Sequence, residues 1–209
     1  MKKVVILSLL MVIAFNFSSC KSEKKSEQKT EDKIETKKST AAFSLEKAQN
    51  EINFVAYKTT DKVPVGGQFK KVDIISGGEG NSIKEAINNT EFSIPVSSVF
   101  TKDTSRDFKI KKFFFGIMEN TKLLSGKLLL TDDTNGVAEI KMNGVTEKVA
   151  FTYTITGNVF NLTGTMDITK WNAGAALASL NTACLDLHKG ADGVSKTWSE
   201  VALNITSTF

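Results

Sequence analysis

A thiol at Cys184 and an imidazole at His188 are the side chains of this sequence best suited to nucleophilic or metal chemistry. A nucleophile needs a base and an orienting group, and zinc usually takes three or more protein ligands. His188 is the only histidine, so the two residues supply at most two ligands. No Ser-His-Asp order accompanies them. We therefore predict no metal site, no catalytic residues, no cofactor and no enzyme activity, and we interpret Cys184 as a small buried apolar residue.

The other cysteine, Cys20, follows a segment with the features of an export signal. Lys2 and Lys3 precede an apolar run over residues 4–17, which is shorter than the roughly 20 residues of a membrane-spanning helix. The run ends in Phe17-Ser18-Ser19-Cys20, which resembles a bacterial lipobox, whose cysteine receives a diacylglyceryl group. Residues 1–19 are therefore predicted to be a signal peptide, and Cys20 a lipidated N-terminus that anchors the chain to a membrane.

The residue after Cys20 bears on location, because an aspartate there commonly retains lipoproteins in the inner membrane. Lys21 stands in that place. We expect an outer-membrane lipoprotein of the cell envelope, facing the periplasm or the cell surface.

Charged and small polar side chains dominate residues 21–40, where Ile34 is the one large apolar residue. Such a composition cannot bury enough apolar surface to offset the entropy lost on folding, so residues 20–42 are predicted to be a flexible tether. The formal net charge of +4 comes from Lys2, Lys3 and the tether, and residues 43–209 contain nearly equal numbers of acids and bases. That balance argues against nucleic acid as a partner, and the length suits one domain.

Alternation with the period of a β-strand runs through residues 43–209. The apolar sets that share one face are Ile52, Phe54 and Ala56; Phe92, Ile94 and Val96; Ala138, Ile140 and Met142; Val149, Phe151, Tyr153 and Ile155; Phe160, Leu162, Gly164, Met166 and Ile168; and Val201, Leu203 and Ile205. The opposite faces are largely polar. Pairs of adjacent residues that contain glycine predict turns at Gly66-Gly67, Gly77-Gly78, Asn135-Gly136, Asn143-Gly144 and Gly157-Asn158. The pattern predicts an all-β, antiparallel sandwich or closed barrel.

Helical patterns interrupt these strands at two places. The first is predicted to begin with a cap at Thr104 and Asp107, to bury Ile110, Phe113, Phe114 and Ile117, and to end near Gly116. The second is predicted over residues 174–188. A shorter helical turn is predicted at residues 82–87, where Ser82 and Glu85 form a capping box.

Several short motifs, in this order, resemble the YceI family of polyisoprenoid-binding proteins. They are Val65-Gly66-Gly67-Gln68-Phe69, Val99-Phe100-Thr101, Arg106-Asp107 before Ile110 and Phe113-Phe114-Phe115, and Gly144-Val145-Thr146 before Val149. The resemblance covers about residues 45–209. The sequence departs from the family pattern at Lys109, where the family often has histidine, and at Glu147-Lys148, where the family has Lys-Pro. The resemblance implies an extended, lipocalin-like antiparallel barrel of about eight strands whose interior holds an isoprenoid lipid.

The predicted isoprenoid-binding residues share the inward phase of their strands or helix. They are Phe54, Phe69, Phe92, Ile94, Phe114, Phe151, Tyr153, Phe160, Leu162, Met166 and Leu203. Arg106 and Lys109 are predicted to meet the lipid head group at the barrel mouth, although a solvated helix face has the same composition.

Two other functions fit the same residues. An apolar inward face is also typical of a filled barrel core, which would make the chain a ligand-free envelope stress or protein-interaction barrel. A redox protein or enzyme acting through Cys184 and His188 is the other alternative. The sequence leaves a monomer and a homodimer open.

Overall fold

The computed structural model describes residues 40–209, and the predicted signal peptide, Cys20 and most of the tether lie outside the described residues. The twelve strands within the described range are β1 (Phe43–Ser44), β2 (Gln49–Lys58), β3 (Val63–Phe69), β4 (Asp73–Ser76), β5 (Glu79–Gly80), β6 (Glu91–Pro95), β7 (Val99–Phe100), β8 (Leu123–Leu130), β9 (Asn135–Met142), β10 (Val145–Thr156), β11 (Val159–Asp167) and β12 (Thr197–Thr208).

Helical segments are short. The α-helices are α1 (Ile83–Ile87), α2 (Thr104–Lys109) and α3 (Gly174–Ala183). A π-helix (Ile110–Phe114) and a 3₁₀ turn (Phe115–Ile117) continue α2, and 3₁₀ turns also occupy Val96–Ser98 and Ile168–Trp171.

One antiparallel sheet of ten strands makes up the body of the domain, in the order β4-β6-β8-β9-β10-β11-β12-β2-β3-β7. Its two ends are joined by the bent segment from β6 to β7. In this segment Pro95 pairs with Leu123 of β8 while Val99 pairs with Phe69 of β3. Counted as one bent strand, it completes a ring of eight strands, with β4 added outside β6. The predicted lipocalin-like antiparallel barrel with few short helices is therefore confirmed.

The barrel has two differently built ends, and strand register assigns each helix to one of them. Gln49 pairs with Thr208 and Lys58 with Thr197, so the two ends of β2 mark the two ends of the barrel. Helix α1 lies where β8 finishes, since the Asn89 amide donates to the Leu128 carbonyl. We call this the α1 end. Helices α2 and α3 follow strands that run the opposite way, and we call theirs the α3 end.

The α1 end is closed by a small, well-packed plug. Ser82 Oγ accepts a hydrogen bond from the Glu85 amide at 3.2 Å, so the predicted cap is present. The Glu85 carboxylate in turn accepts from the amide of Asn81 at 2.8 Å. Behind this cap, Ala86 is 0% exposed and Ile87 1% exposed. Helix α1 therefore buries one whole face into the barrel.

The α3 end differs from the sequence prediction in three ways. The cap of α2 is Asp103 instead of Thr104, because the Asp103 carboxylate accepts from the Arg106 amide at 3.0 Å. The helix changes to π geometry at Ile110, which shifts the phase, so that Phe115 is buried and Ile117 is 50% exposed. Helix α3 ends at Ala183, and residues 184–188 continue as turns rather than as helix.

Two predicted glycine turns were also wrong. Gly66-Gly67 lies inside β3, and Asn135-Gly136 begins β9. The predicted turn at Asn143-Gly144 is present between β9 and β10, with φ of 51° and 74° at its two residues. Positive φ at both positions is what a two-residue hairpin turn requires.

Candidate functional site

The barrel encloses a cavity of about 240 Å³ with an apolar wall. Its wall is formed by the inward phase of the strands, together with side chains from α1, the π-helix and α3. The wall residues from the sheet include Ile52, Phe54, Phe69, Ile74, Phe92, Ile94, Leu124, Leu128, Ile140, Met142, Phe151, Phe160, Leu162, Met166, Val201, Leu203 and Ile205. The inside of the barrel is thus partly open rather than filled by side chains.

The structure brings the predicted binding residues together at this wall, with one exception. Phe54, Phe69, Phe92, Ile94, Phe114, Phe151, Phe160, Leu162, Met166 and Leu203 all line the cavity. Tyr153 does not line it. Its ring packs against Phe151 and Phe160, and its hydroxyl donates to the Asp132 carbonyl at 2.7 Å. The hydrogen bond to the Asp132 carbonyl, near the α1 end, holds the phenol outside the wall, so Tyr153 is not part of the candidate site.

The few polar side chains in the wall are hydrogen-bonded to other protein groups. The Thr90 hydroxyl donates to the Ala86 carbonyl at 2.7 Å, and the Ser207 hydroxyl donates to Asn50 Oδ1 at 2.6 Å. The Asn50 amide donates to the Leu45 carbonyl at 2.7 Å, and Trp198 Nε1 donates to the Thr59 carbonyl at 2.8 Å. Because these groups already have partners, the wall offers a ligand mainly apolar contact.

Phenylalanine rings lie over glycines of neighbouring strands at several points of the wall. Gly67 is the cross-strand partner of Phe54, and Gly136 is the partner of Phe151. A Cβ atom at either glycine would overlap the facing ring. The absence of that atom lets each ring lie flat against the sheet. These Phe–Gly pairs therefore keep large side chains in the wall while leaving the middle of the barrel open.

The α3 end covers the cavity with a layer of helical side chains. Phe114 and Phe115 pack against each other with ring centroids 4.9 Å apart, and Phe115 reaches Phe69 of β3 at 6.2 Å. Ile110 from the π-helix and Leu180 from α3 complete this part of the wall. The π geometry places consecutive phenylalanines on the inside, which an unbroken α-helix would separate by about 100°.

The predicted head-group residues, Arg106 and Lys109, lie on the covering helix and not in the cavity wall. Arg106 approaches Asp103 at 3.6 Å, and the Lys109 ammonium donates to Ser105 Oγ at 3.0 Å. Asp107 does not pair with Arg106. Its buried carboxylate accepts from the amide and hydroxyl of Thr101 at 2.8 Å and 2.7 Å, which fastens α2 to the end of β7.

Cys184 and His188 lie at the α3 end without forming a catalytic arrangement. Burial raises the pKa of the Cys184 thiol, although Lys109, Lys58 and Arg106 act to lower it. Burial also lowers the pKa of His188, with Lys58 and Arg106 adding to the effect. His188 Nδ1 lies 2.6 Å from Thr197 Oγ1, which donates to Asn181 Oδ1 at 2.9 Å. Nδ1 therefore carries the proton, and the neutral imidazole is held as a structural group.

Across residues 40–209, no group of three or more histidine, cysteine, aspartate or glutamate side chains is placed to hold a metal ion.

Sequence reasoning missed much of the wall. Leu124 and Leu128 of β8 line the cavity, and their alternation in the strand period could have identified them. The contributions of Ile87 and of Phe115 could not be read from alternation, because they depend on where α1 packs and on the π turn. The described residues also contain no helix long and apolar enough to cross a membrane.

The fold and cavity define the class of protein: a lipocalin-like antiparallel barrel with an apolar interior. Residues 43–209 match the family described as the YceI-like domain, and the chain belongs to that family. The predicted family is thereby confirmed. No curated protein matches the chain.

Two solved structures share the fold. One is a polyisoprenoid-binding domain from Saccharophagus degradans implicated in plant cell wall breakdown, with a TM-score of 0.56 and 13% identity over 80% of this chain and 97% of that one. The other is BcnA of Burkholderia cenocepacia, with a TM-score of 0.52 and 16% identity over 80% of this chain and 99% of that one.

Proposed function

We propose that this chain binds an isoprenoid lipid inside the barrel and holds it, as a carrier or scavenger, in the bacterial cell envelope. The observation that carries the proposal is the apolar cavity, whose polar wall groups are hydrogen-bonded within the protein. The family and the binding property stated for the Saccharophagus degradans domain support it. Proposed cargo classes are polyprenyl phosphates and quinones with prenyl tails.

Burial alone is sufficient to explain affinity for such a ligand. An isoprenoid chain presents almost only apolar surface, and its transfer from water contributes about 25 cal/mol for each Å² buried. A wall of Phe, Leu, Ile and Met side chains matches this surface without directional bonds. No covalent step is needed. A ligand-free interaction barrel would instead have a filled interior, and the cavity argues against that alternative.

The cargo is tested by extraction. The chain from Lys21 onward, which lacks the lipidated cysteine, is produced in a bacterium, purified without detergent and extracted with organic solvent for mass spectrometry. We expect a prenyl lipid in near-equimolar amount. The emptied protein is then titrated with an octaprenyl quinone, an octaprenyl phosphate and a saturated alkane of similar length. An empty extract together with no saturable uptake of either prenyl probe would overturn the proposal.

Envelope attachment through Cys20 is a separate part of the proposal, supported by the residues around it. Cells producing the full chain or its Cys20→Ser variant are labelled with radioactive palmitate and separated into inner-membrane, outer-membrane and soluble fractions. Label in the outer-membrane band of the full chain, absent from the variant, is the expected result. Equal labelling of both proteins contradicts a lipid on Cys20. Light scattering of the purified chain distinguishes between the monomer and the homodimer, which the sequence leaves open.

A further inference from the structure

Exposed apolar side chains are concentrated on the segments that make up the α3 end. Phe108 of α2 is 57% exposed, while Leu185 and Leu187, just after α3, are 50% and 58% exposed. Single exposed apolar residues are common on soluble domains, but a group bordered by charged residues indicates a binding surface.

Packing and hydrogen bonding bring the segments that carry these residues together. Helix α3 packs against the π-helix that continues α2. The Lys58 ammonium, at the end of β2, donates to the Leu187 carbonyl at 3.1 Å. The positive charges of Lys58, Arg106 and Lys109 all act to lower the pKa of Cys184, the residue before Leu185. We call the surface formed by Phe108, Leu185 and Leu187, with Lys58, Lys109 and Lys112, the docking surface.

The docking surface has an excess of positive charge. Within residues 40–209, Lys58, Lys109 and Lys112 form no salt bridge, and Lys112 lies 5.4 Å from the centre of the Phe108 ring. The nearby acids already have partners. Asp103 faces Arg106 at 3.6 Å, and Asp186 pairs with Lys189 at 2.9 Å. No carboxylate of the described residues within 4 Å neutralises the charge of these three lysines, so an anionic partner would be attracted to them.

The docking surface is also the outer side of the helical cover over the cavity. Ile110 of the wall directly follows Lys109, and Leu180 of the wall lies in the helix that precedes Leu185. Thr197 of the wall is bonded to His188, next to Leu187. A partner bound here is thus separated from the cavity by one layer of side chains.

We propose that the α3 end docks directly onto an anionic bilayer surface, with Phe108, Leu185 and Leu187 entering the interface and the lysines contacting lipid phosphates. A bilayer fits better than a protein because the apolar groups protrude from two separate segments among flexible lysines, a composition typical of membrane-surface segments. This contact is distinct from an N-terminal acyl anchor and does not depend on which ligand fills the cavity. It sets the covered side of the cavity against the membrane.

Vesicle flotation tests the docking surface with the chain from Lys21 onward, so that no acyl chain contributes. Vesicles of phosphatidylcholine alone are compared with vesicles that also contain phosphatidylglycerol. We expect binding to the anionic vesicles only, and loss of binding at high salt. Lys112→Ala should weaken partitioning about fivefold, the effect of one lysine near an anionic surface. Leu187→Ser should weaken it at least as much.

A matched control comes from the other side of the molecule. Ile75, in β4, is 61% exposed and lies outside the docking surface. Ile75→Ser should leave vesicle binding unchanged, so equal losses for Ile75→Ser and Leu187→Ser would overturn the proposal. So would the absence of binding to anionic vesicles, which would leave a protein as the partner of this surface. Titration with the octaprenyl probes in solution, without vesicles, measures ligand binding in the cavity independently of vesicle binding by the docking surface.

Discussion

The α1 end and the α3 end close the same barrel with different degrees of packing. At the α1 end Ala86, Ile87 and Thr90 are at most 1% exposed, and the hydrogen bonds of Thr90 are made inside the protein. At the α3 end Trp171 and Ala173, just before α3, are also at most 1% exposed, but the covering segment changes from α to π geometry and Leu180 is only half-buried. Tight packing resists opening, whereas loose packing makes local opening inexpensive. The comparison predicts that ligands enter and leave at the α3 end.

The largest expected effect comes from truncating the α1 plug. Ile87→Ala removes a buried side chain and should lower the free energy of unfolding by about 2–5 kcal/mol. Leu180→Ala, in the looser cover, should cost about 1 kcal/mol and should speed the release of a bound prenyl probe. Urea unfolding and stopped-flow release measure the two quantities. Equal destabilisation by the two variants would remove the distinction between the ends.

A second variant tests the wall between the two ends. Gly67→Ala adds a Cβ that overlaps the Phe54 ring, so the ring must turn into the cavity. We expect a loss of about 1–3 kcal/mol of stability from overpacking and weaker binding of an octaprenyl quinone. Gly66→Ala is the matched control, since its Cβ meets no atom within 4 Å. Isothermal titration with the octaprenyl quinone measures the affinity of both variants. Unchanged binding by Gly67→Ala would contradict the role of the Phe–Gly pairs.

A smaller effect is expected where α2 is fastened to the barrel. Asp107→Asn replaces the charged acceptor of two hydrogen bonds from Thr101 and should cost about 1 kcal/mol. Because α2 is part of the cover at the α3 end, which we predict to open, hydrogen exchange should quicken in residues 101–117 and stay unchanged in α1. Asp186→Asn, at an exposed carboxylate, provides the control. Uniform exchange changes in both ends would indicate that the ends do not open independently.

The smallest expected effect is a pH dependence confined to the α3 end. The imidazole of an unfolded chain has a pKa of about 6.5, and burial lowers the pKa of His188 in the folded protein. Between these two pKa values the unfolded chain binds more protons, so stability rises with pH in that window. The contribution is complete above about pH 6.5 and is lost as the pH falls through the folded pKa.

The thermal midpoints of the wild-type protein and of His188→Gln, followed during acidification, measure this contribution. The difference between the two midpoints should shrink below about pH 6.5. Parallel curves would show that His188 does not couple folding to protonation.

Alternation was enough to predict an antiparallel sandwich or closed barrel and most of its inward face, while the choice of a lipocalin-like barrel came from the resemblance to the YceI family. It succeeded because each strand buries one face only, as with Val149 and Phe151 of β10, which are each 4% exposed. Gly66-Gly67 misled the turn prediction, since a glycine that receives an aromatic ring and a glycine that permits positive φ look alike in sequence. Only the pairing of Gly67 with Phe54 separates the two cases.

The helical cover was predicted less well than the sheet. An α-helical stripe gave Ile117 as buried, but one π turn moved Phe115 inside. Tyr153 has the inward strand phase that was predicted, yet its hydroxyl donates to the Asp132 carbonyl and its ring does not line the cavity. Both differences depend on contacts between segments distant in sequence, which periodicity within one segment does not contain.

The pairing of β2 with β12 has a consequence for biosynthesis. A ribosome makes β2 before most strands of the sheet and β12 after all the others that the structure describes, yet these two strands are direct neighbours in the ring. Until β12 emerges, the edge of β2 that faces away from β3 has no partner strand, and such an edge is prone to aggregation. Chain closure across this separation is slow, so the nascent protein stays open long after most of its strands exist. A truncation of β12 would leave the facing edges of β11 and β2 unpaired and the barrel open between them.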